Sequence, residues 1–252
     1  MVIFTLARRE LHSLFLSPLA WSILAVLQFI LGYIFLGELE LFLQIQARLT
    51  TLMDAPGLTE LVVAPMFSYA AVLLLLVIPL LTMRLISEEK RSGTLTLLLS
   101  APISITEIIL GKYLGIIGFI LIMLCIMTLM PLSLLLGGNL DIGMVGSGFL
   151  ALFLLLASFT AVGLYMSTLT SQPIIAAVNS FALIIFLWVI DMTTNLSSNA
   201  TGTTLQYLSM LEHYRPLTSG IFKSSDLIYY VLFIITFLVL SIRHLNADRL
   251  QH

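Results

Sequence analysis

Residues Val62–Met83 read VVAPMFSYAAVLLLLVIPLLTM, and Arg84–Pro102 continue as RLISEEKRSGTLTLLLSAP. The first stretch carries no charged side chain and has the length, about 20 apolar residues, that an α-helix needs to cross hydrocarbon. The second opens with a cluster of charge, breaks at Gly93-Thr94, and then turns leucine-rich up to Pro102. The junction reads as a membrane helix that delivers the chain into water, where a short element lies back against the membrane surface.

The rest of the chain repeats the first half of that pattern. Of its 252 residues, 60% are hydrophobic and 10% charged, and mean hydropathy is +1.11. A water-soluble domain of this composition would expose apolar patches far beyond those monomers tolerate. The fold class read from this is all-α, one polytopic domain over residues 1–252. Spans are expected at Leu19–Gly37, Val62–Met83, Tyr113–Leu136, Met144–Thr168, Pro173–Ile190 and Leu227–Ile242. Pro79 and Pro131 fall inside spans, where proline is tolerated better than in soluble helices. The net charge of -2 carries no basic stripe for nucleic acid, and the single Cys125 excludes disulfides and cysteine-rich metal sites within one chain.

Orientation follows from the basic residues. With both termini in the cytoplasm, eight (Arg8, Arg9, Arg84, Lys90, Arg91, Lys112, Arg243 and Arg249) lie inside, and three (Arg48, Arg215 and Lys223) lie outside. The first 17 residues are too polar to span. Phe4, Ala7, Leu11 and Leu14 share one helical face, and Thr5, Arg8, Arg9, His12 and Ser13 gather on the other, which predicts an amphipathic helix in the cytoplasmic interface. Glu10-Leu11-His12 after the arginine pair fits a twin-arginine export signal poorly, and no cleaved leader is expected. Outside, Glu38–Met53 is expected to form a separate short surface helix, and Asp191–Asp226 a loop that starts polar and becomes mixed.

The cytoplasmic stretch Ser87–Lys112 divides at Pro102, after which Ser104-Ile105-Thr106-Glu107 has the capping-box pattern that starts the helix of the third span. Such a loop is too small for catalysis, but it suits the docking of a protein that pushes on it; a merely solvated loop is the bland alternative. Catalytic constellations are missing. A phosphate-binding loop ending at Gly111-Lys112 would need glycine where Thr106 stands and a hydroxyl residue where Tyr113 stands. No span has an ionisable residue near its middle, as an ion-coupled carrier usually needs. Among polar side chains inside spans, Gln28 and Asn179 could line a substrate path, or could simply bond between helices.

The stretch Leu81–Thr94, with its Met83-Arg84 approach, Glu88-Glu89 pair and Gly93-Thr94, followed by Leu97-Leu98-Leu99-Ser100-Ala101-Pro102, resembles the hallmark of type-2 ABC exporter permeases. Leu211-Glu212-His213-Tyr214, Thr218–Phe222 and Asp226–Tyr230 are similar to the gliding-motility-associated branch of that family. The resemblance implies the membrane-spanning permease of an ATP-driven exporter in a bacterial inner membrane, working as a dimer with a second permease copy. It further implies a separate cytoplasmic ATPase that binds ATP and Mg, no cofactor on this chain, and room for an extracytoplasmic accessory subunit. The expected ATPase-coupling residues are Glu88, Glu89, Gly93, Thr94, Leu97 and Pro102. Position 96 is threonine where the family often carries an acid, so the expected contact rests on Glu88 and Glu89, which could equally cap the short helix of this same chain. The competing reading is a scaffold or assembly subunit with an ABC-like fold and no translocated substrate.

Overall fold

A computed structural model describes residues 2–49, 57–95, 98, 103–136, 140–194 and 209–251. The helices are α1 (Val2–Leu16), α2 (Pro18–Leu49), α3 (Ala64–Thr82), α4 (Ser87–Ser92), α5 (Ile105–Ser133), α6 (Ile142–Leu169), α7 (Pro173–Thr194), α8 (Met210–Thr218) and α9 (Ser224–Gln251). A π-helical turn, Thr59–Val63, leads into α3. There is no strand among the described residues. Five stretches are long and apolar enough to cross a membrane: Pro18–Gln46, Thr59–Ser92, Ile105–Leu136, Ile142–Leu169 and Ser224–Arg249. α7 is apolar over the shorter stretch Pro173–Val189.

The axis of the bundle is α6, which packs against α3, α4, α5, α7, α8 and α9. Lipid gives helices no hydrophobic reason to associate, so close backbone approach and van der Waals contact must hold them. The α6 sequence supplies this with buried small side chains, among them Ser147, Ala151, Ala157, Ser158 and Ala161. Gly163 is the tightest point: a Cβ there would lie 2.0 Å from Thr82 Oγ1 on α3. At Gly148 it would lie 2.8 Å from the Phe67 ring. Asp141 caps α6, its carboxylate accepting from the Gly143 and Met144 amides at 2.9 and 3.2 Å.

One expectation needs correction. No separate surface helix begins at Glu38; α2 continues unbroken to Leu49. One glycine inside a helix costs only about 1 kcal/mol, so Gly37 does not stop it, and beyond it the Gln44 amide reaches Glu40 at 3.4 Å. Residues 50–53 lie outside the described residues. Of the expected apolar face of α1, Ala7, Leu11 and Leu14 are half-buried, with Leu11 and Leu14 packed against the core, and the expected polar face is exposed, while Phe4 is 76% exposed. α1 lies along the first half of α5, where Gly111 and Gly115 bring backbone close to the Cβ atoms of Leu6 and Glu10, each 2.6 Å from where a glycine Cβ would stand. The partner's glycine groove, one turn apart, chooses the face. Phe15 then packs on Phe119 with ring centroids 5.4 Å apart.

At the end of the bundle away from α4, the mixed part of the expected outer loop forms α8. It folds back on α6 and α7, burying Met210, His213, Tyr214 and Leu217. The Tyr214 hydroxyl donates to Phe67 O at 2.9 Å, and Tyr230 to Met210 O at 2.9 Å. His213 Nδ1 sits 2.8 Å from Asp226 Oδ1 with both side chains buried, and the imidazole stacks on Tyr229 at 4.2 Å.

Candidate coupling site

A six-residue helix such as α4 is far too short to persist by its own propensity. Its surroundings hold it. The amides of Ile86 and Ser87, orphan donors at its start, both donate to Ser167 Oγ near the end of α6, each at 3.0 Å. The Ser167 hydroxyl in turn donates to Met83 O at 3.1 Å. At the other end Gly93 takes φ +72°, the left-handed geometry that glycine adopts without strain, so the Gly93 breaker read in the sequence is a helix C-cap.

Adjacent charged residues of α4 point to different partners, because each step rotates about 100° round the helix. Lys90 reaches Thr168 O at 2.6 Å and also pairs with the Asp248 carboxylate, tying α4 to α6 and α9. Glu89 Oε1 lies 2.8 Å from Lys112 Nζ on α5, and the same ammonium lies 3.4 Å from Glu10 Oε2 on α1. Lys112 is buried, so one cation joins three helices in low dielectric. The second carboxylate oxygen of Glu89 is buried with no hydrogen-bond partner. Glu88 has the opposite situation. It is exposed, and among the described residues its one ionic contact is Arg84 Nε at 4.0 Å, worth little in water. Arg91, Ser92 and Thr94 are exposed beside it, the two hydroxyls 2.8 Å apart.

Of the residues expected to carry coupling, the structure therefore separates Glu88, which faces out, from Glu89, which is committed inside the chain. Leu95 is buried and Leu98 half-buried, while Leu97 and Pro102 lie outside the described residues. A cleft of about 460 Å³ opens between α1, the end of α3, α4 and the start of α5, with Arg9, Glu10, Arg84, Glu88, Glu89 and Lys112 on its wall. The capping box at Ser104 is formed: the Glu107 amide donates to Ser104 Oγ at 3.2 Å and Glu107 Oε2 accepts from the Ser104 amide at 3.0 Å. Those bonds from the Ser104 amide and hydroxyl hold the Glu107 carboxyl below the usual carboxylate range.

The two residues considered for a substrate path part company as well. Gln28 is half-buried and donates to Met123 O at 3.4 Å, a clamp of α2 on α5. Asn179 is exposed on α7, among Ile175, Val178 and Phe186, which also point outward.

Sequence reasoning missed Glu10, Lys90, Lys112, Ser167 and Asp248 as parts of this site. Glu10 gave a signal: it is an acid on the same side of α1 as Ala7 and Leu14, where packing wants an apolar side chain. Lys112, at the mouth of an apolar run, was legible only as an orientation marker.

No curated protein matches the sequence. The sequence model of the family described as ABC-2 family transporter protein, however, matches residues 4–249, nearly the whole chain. By that match, which fits its apolar helical spans, the chain belongs to the ABC-2 transporter family, as the membrane permease subunit of an ABC transporter.

Proposed function

We propose that this permease belongs to an exporter, crosses the inner membrane six times with both termini and α4 in the cytoplasm, and is driven through α4 by a separate ATPase. The observation that carries the reading is the asymmetry of α4. Its inner side is bonded to α1 (through Lys112), α5, α6 and α9, while Glu88, Arg91, Ser92 and Thr94 are exposed on its outer side. A partner seated on the outer side would act on four helices at once. ATP and Mg belong to that partner. α7 is the sixth span in this reading. A second copy covering the α7 face would take Asn179 out of lipid, where an exposed amide is costly. The α1 and α9 ends lie at the same end of the bundle as α4, which suits an even number of crossings.

The test uses the permease co-expressed with its candidate ATPase. Glu88→Lys is expected to weaken ATPase binding roughly tenfold, the loss of one charge-assisted contact, with thermal stability unchanged because Glu88 is bonded to little else. Glu89→Gln is expected to lower stability first. Unchanged affinity in Glu88→Lys would overturn the docking assignment. An ATPase that binds but moves nothing in vesicles would favour the scaffold reading instead.

A further inference from the structure

The cytoplasmic-side helix α1 has a second face that the coupling site does not use. Its packed face is fixed by the approach of Leu6 and Glu10 to Gly111 and Gly115. The opposite face therefore has a definite composition. Arg8 and His12 stand one turn apart, both exposed, with Arg9 beside them. Glu10 is the one acid within α1, and it is turned inward onto Lys112. Among the described residues no carboxylate pairs with Arg8, Arg9 or His12. A shallow groove of about 530 Å³ runs over this face, lined by Thr5, Arg8, Arg9, Leu11, His12 and Phe15. Apolar side chains flank the cations: Phe4 is 76% and Leu16 72% exposed. Trp21 is also exposed and anchored, its indole N–H donating to Phe15 O at 2.8 Å, with its ring edge-on to Phe15 at 5.8 Å. Tryptophan prefers the headgroup level of a membrane.

We propose that this face of α1 is a binding site for an anionic phospholipid, with Arg8 and His12 on the headgroup phosphate, Arg9 beside them, and an acyl chain against Phe4 and Phe15. The occupant must be an anion, because the groove offers donors and no acceptor carboxylate. It must also carry an apolar chain, because a soluble anion would leave the flanking phenyl rings in water. A lipid satisfies both demands, whereas a free phosphate satisfies only the first. The placement rests on the reading that the α4 end is cytoplasmic, since the cytoplasmic leaflet carries the anionic lipid. The site also adjoins the cleft that Arg9 shares with α4, so a bound headgroup would brace the same junction.

The experiment titrates the purified full chain in neutral detergent with phosphatidylglycerol, phosphatidylcholine and inorganic phosphate, reading retained lipid by native mass spectrometry and the thermal midpoint. Saturable retention of phosphatidylglycerol, without phosphatidylcholine, is expected. Arg8→Gln with Arg9→Gln should weaken it roughly 25-fold, about fivefold per arginine. Arg8→Lys with Arg9→Lys should keep most of it. Arg243→Gln with Arg249→Gln, on α9 and equally basic, should change nothing. Equal weakening by the α9 pair would overturn the proposal in favour of diffuse charge, and equal competition by inorganic phosphate would overturn it in favour of a free-anion site. Binding in detergent does not depend on membrane orientation. Cysteine labelling at Ser92 on a Cys125→Ser background tests the orientation separately: label entering only from outside would sink that reading and leave the lipid result standing.

Discussion

Replacing Lys112 with methionine removes the cation shared by Glu89 and Glu10 while keeping most of the side chain's volume. Breaking a fully buried ion pair costs about 3–5 kcal/mol. Here the lysine side chain is 10% exposed, but Glu89 and Glu10 are 27% and 25% exposed, so water can recover part of the loss. The scale of a charge-assisted hydrogen bond, about 1.5–3 kcal/mol, is the better guide. For a chain of this length that corresponds to a fall of roughly 3–12 °C in the thermal midpoint. The sharper measurement is a double-mutant cycle in detergent with Glu89→Gln. Neutralising Glu89 removes the charge that Lys112→Met leaves unpaired, so the double variant should be more stable than the sum of the singles predicts by about 1 kcal/mol or more. Effects that add to within about 0.3–0.5 kcal/mol would refute the claim that the two residues act as a pair. In the proposed mechanism Lys112→Met should also keep ATPase binding, because Glu88 is untouched, yet lower transport per ATP hydrolysed.

Gly163→Ala would place a Cβ 2.0 Å from Thr82 Oγ1. It should destabilise by about 1–3 kcal/mol or more through forced separation of α3 and α6, and Thr82→Gly should restore part of the midpoint. Ser104→Ala should cost about 1 kcal/mol as a lost N-cap. Because the Glu107 carboxyl is held low in the folded chain, the stability it contributes is present above its unfolded pKa and lost as pH falls through the lower folded value. A thermal midpoint that falls on acidification in the parent should therefore fall less in Ser104→Ala. His213→Ala would leave the buried Asp226 carboxylate with the Ser225 hydroxyl at 3.3 Å in place of the closer imidazole, its other oxygen already lacking a partner, and should cost about 1.5–3 kcal/mol. Asp226→Asn in the same chain should recover part of it, and calorimetry in detergent measures both.

Five of the six expected spans, the capping box at Ser104 and the break at Gly93 were legible because each follows from local chemistry: transfer of apolar side chains into lipid, an orphan amide needing an acceptor, and a φ that glycine adopts freely. The face of α1 was legible only in part: Ala7, Leu11 and Leu14 turn inward as their spacing implies, but Glu10 turns in with them and Phe4 does not, because a surface helix is oriented by what it meets, and Gly111 and Gly115 lie about a hundred residues away in the chain. The continuation of α2 past Gly37 was misread for a related reason. A polar, acidic stretch with helical spacing reads equally well as a new helix or as the outward end of an old one. The pairing at α4 was half legible. That Glu88 and Glu89 stand in a charged cluster was plain in the sequence, but which faces outward and which the bundle depends on the helix phase, and that phase is set by Ser167 and Lys112.

The chemistry of this junction bears on how a push could travel. An apolar joint between α1, α4 and α5 need not be weaker, since replacing buried ion pairs by well-packed hydrophobes is often neutral or stabilising. An apolar joint would also slide, since dispersion contacts are non-directional. The Glu10–Lys112–Glu89 arrangement fixes one register instead: the ammonium can hold both carboxylates only when α1 and α4 sit at particular heights on α5. With Lys90 bonded to the end of α6 and to Asp248, α4 has two ionic anchors on its inner side and a left-handed glycine at its end. A helix of six residues held that way cannot rotate alone, because any roll breaks an anchor and leaves a buried charge without its partner. In the proposed mechanism, displacement of α4 by the ATPase must therefore carry α1 and the start of α5 with it, which makes those two helices, rather than the Gly93 turn, the elements to watch.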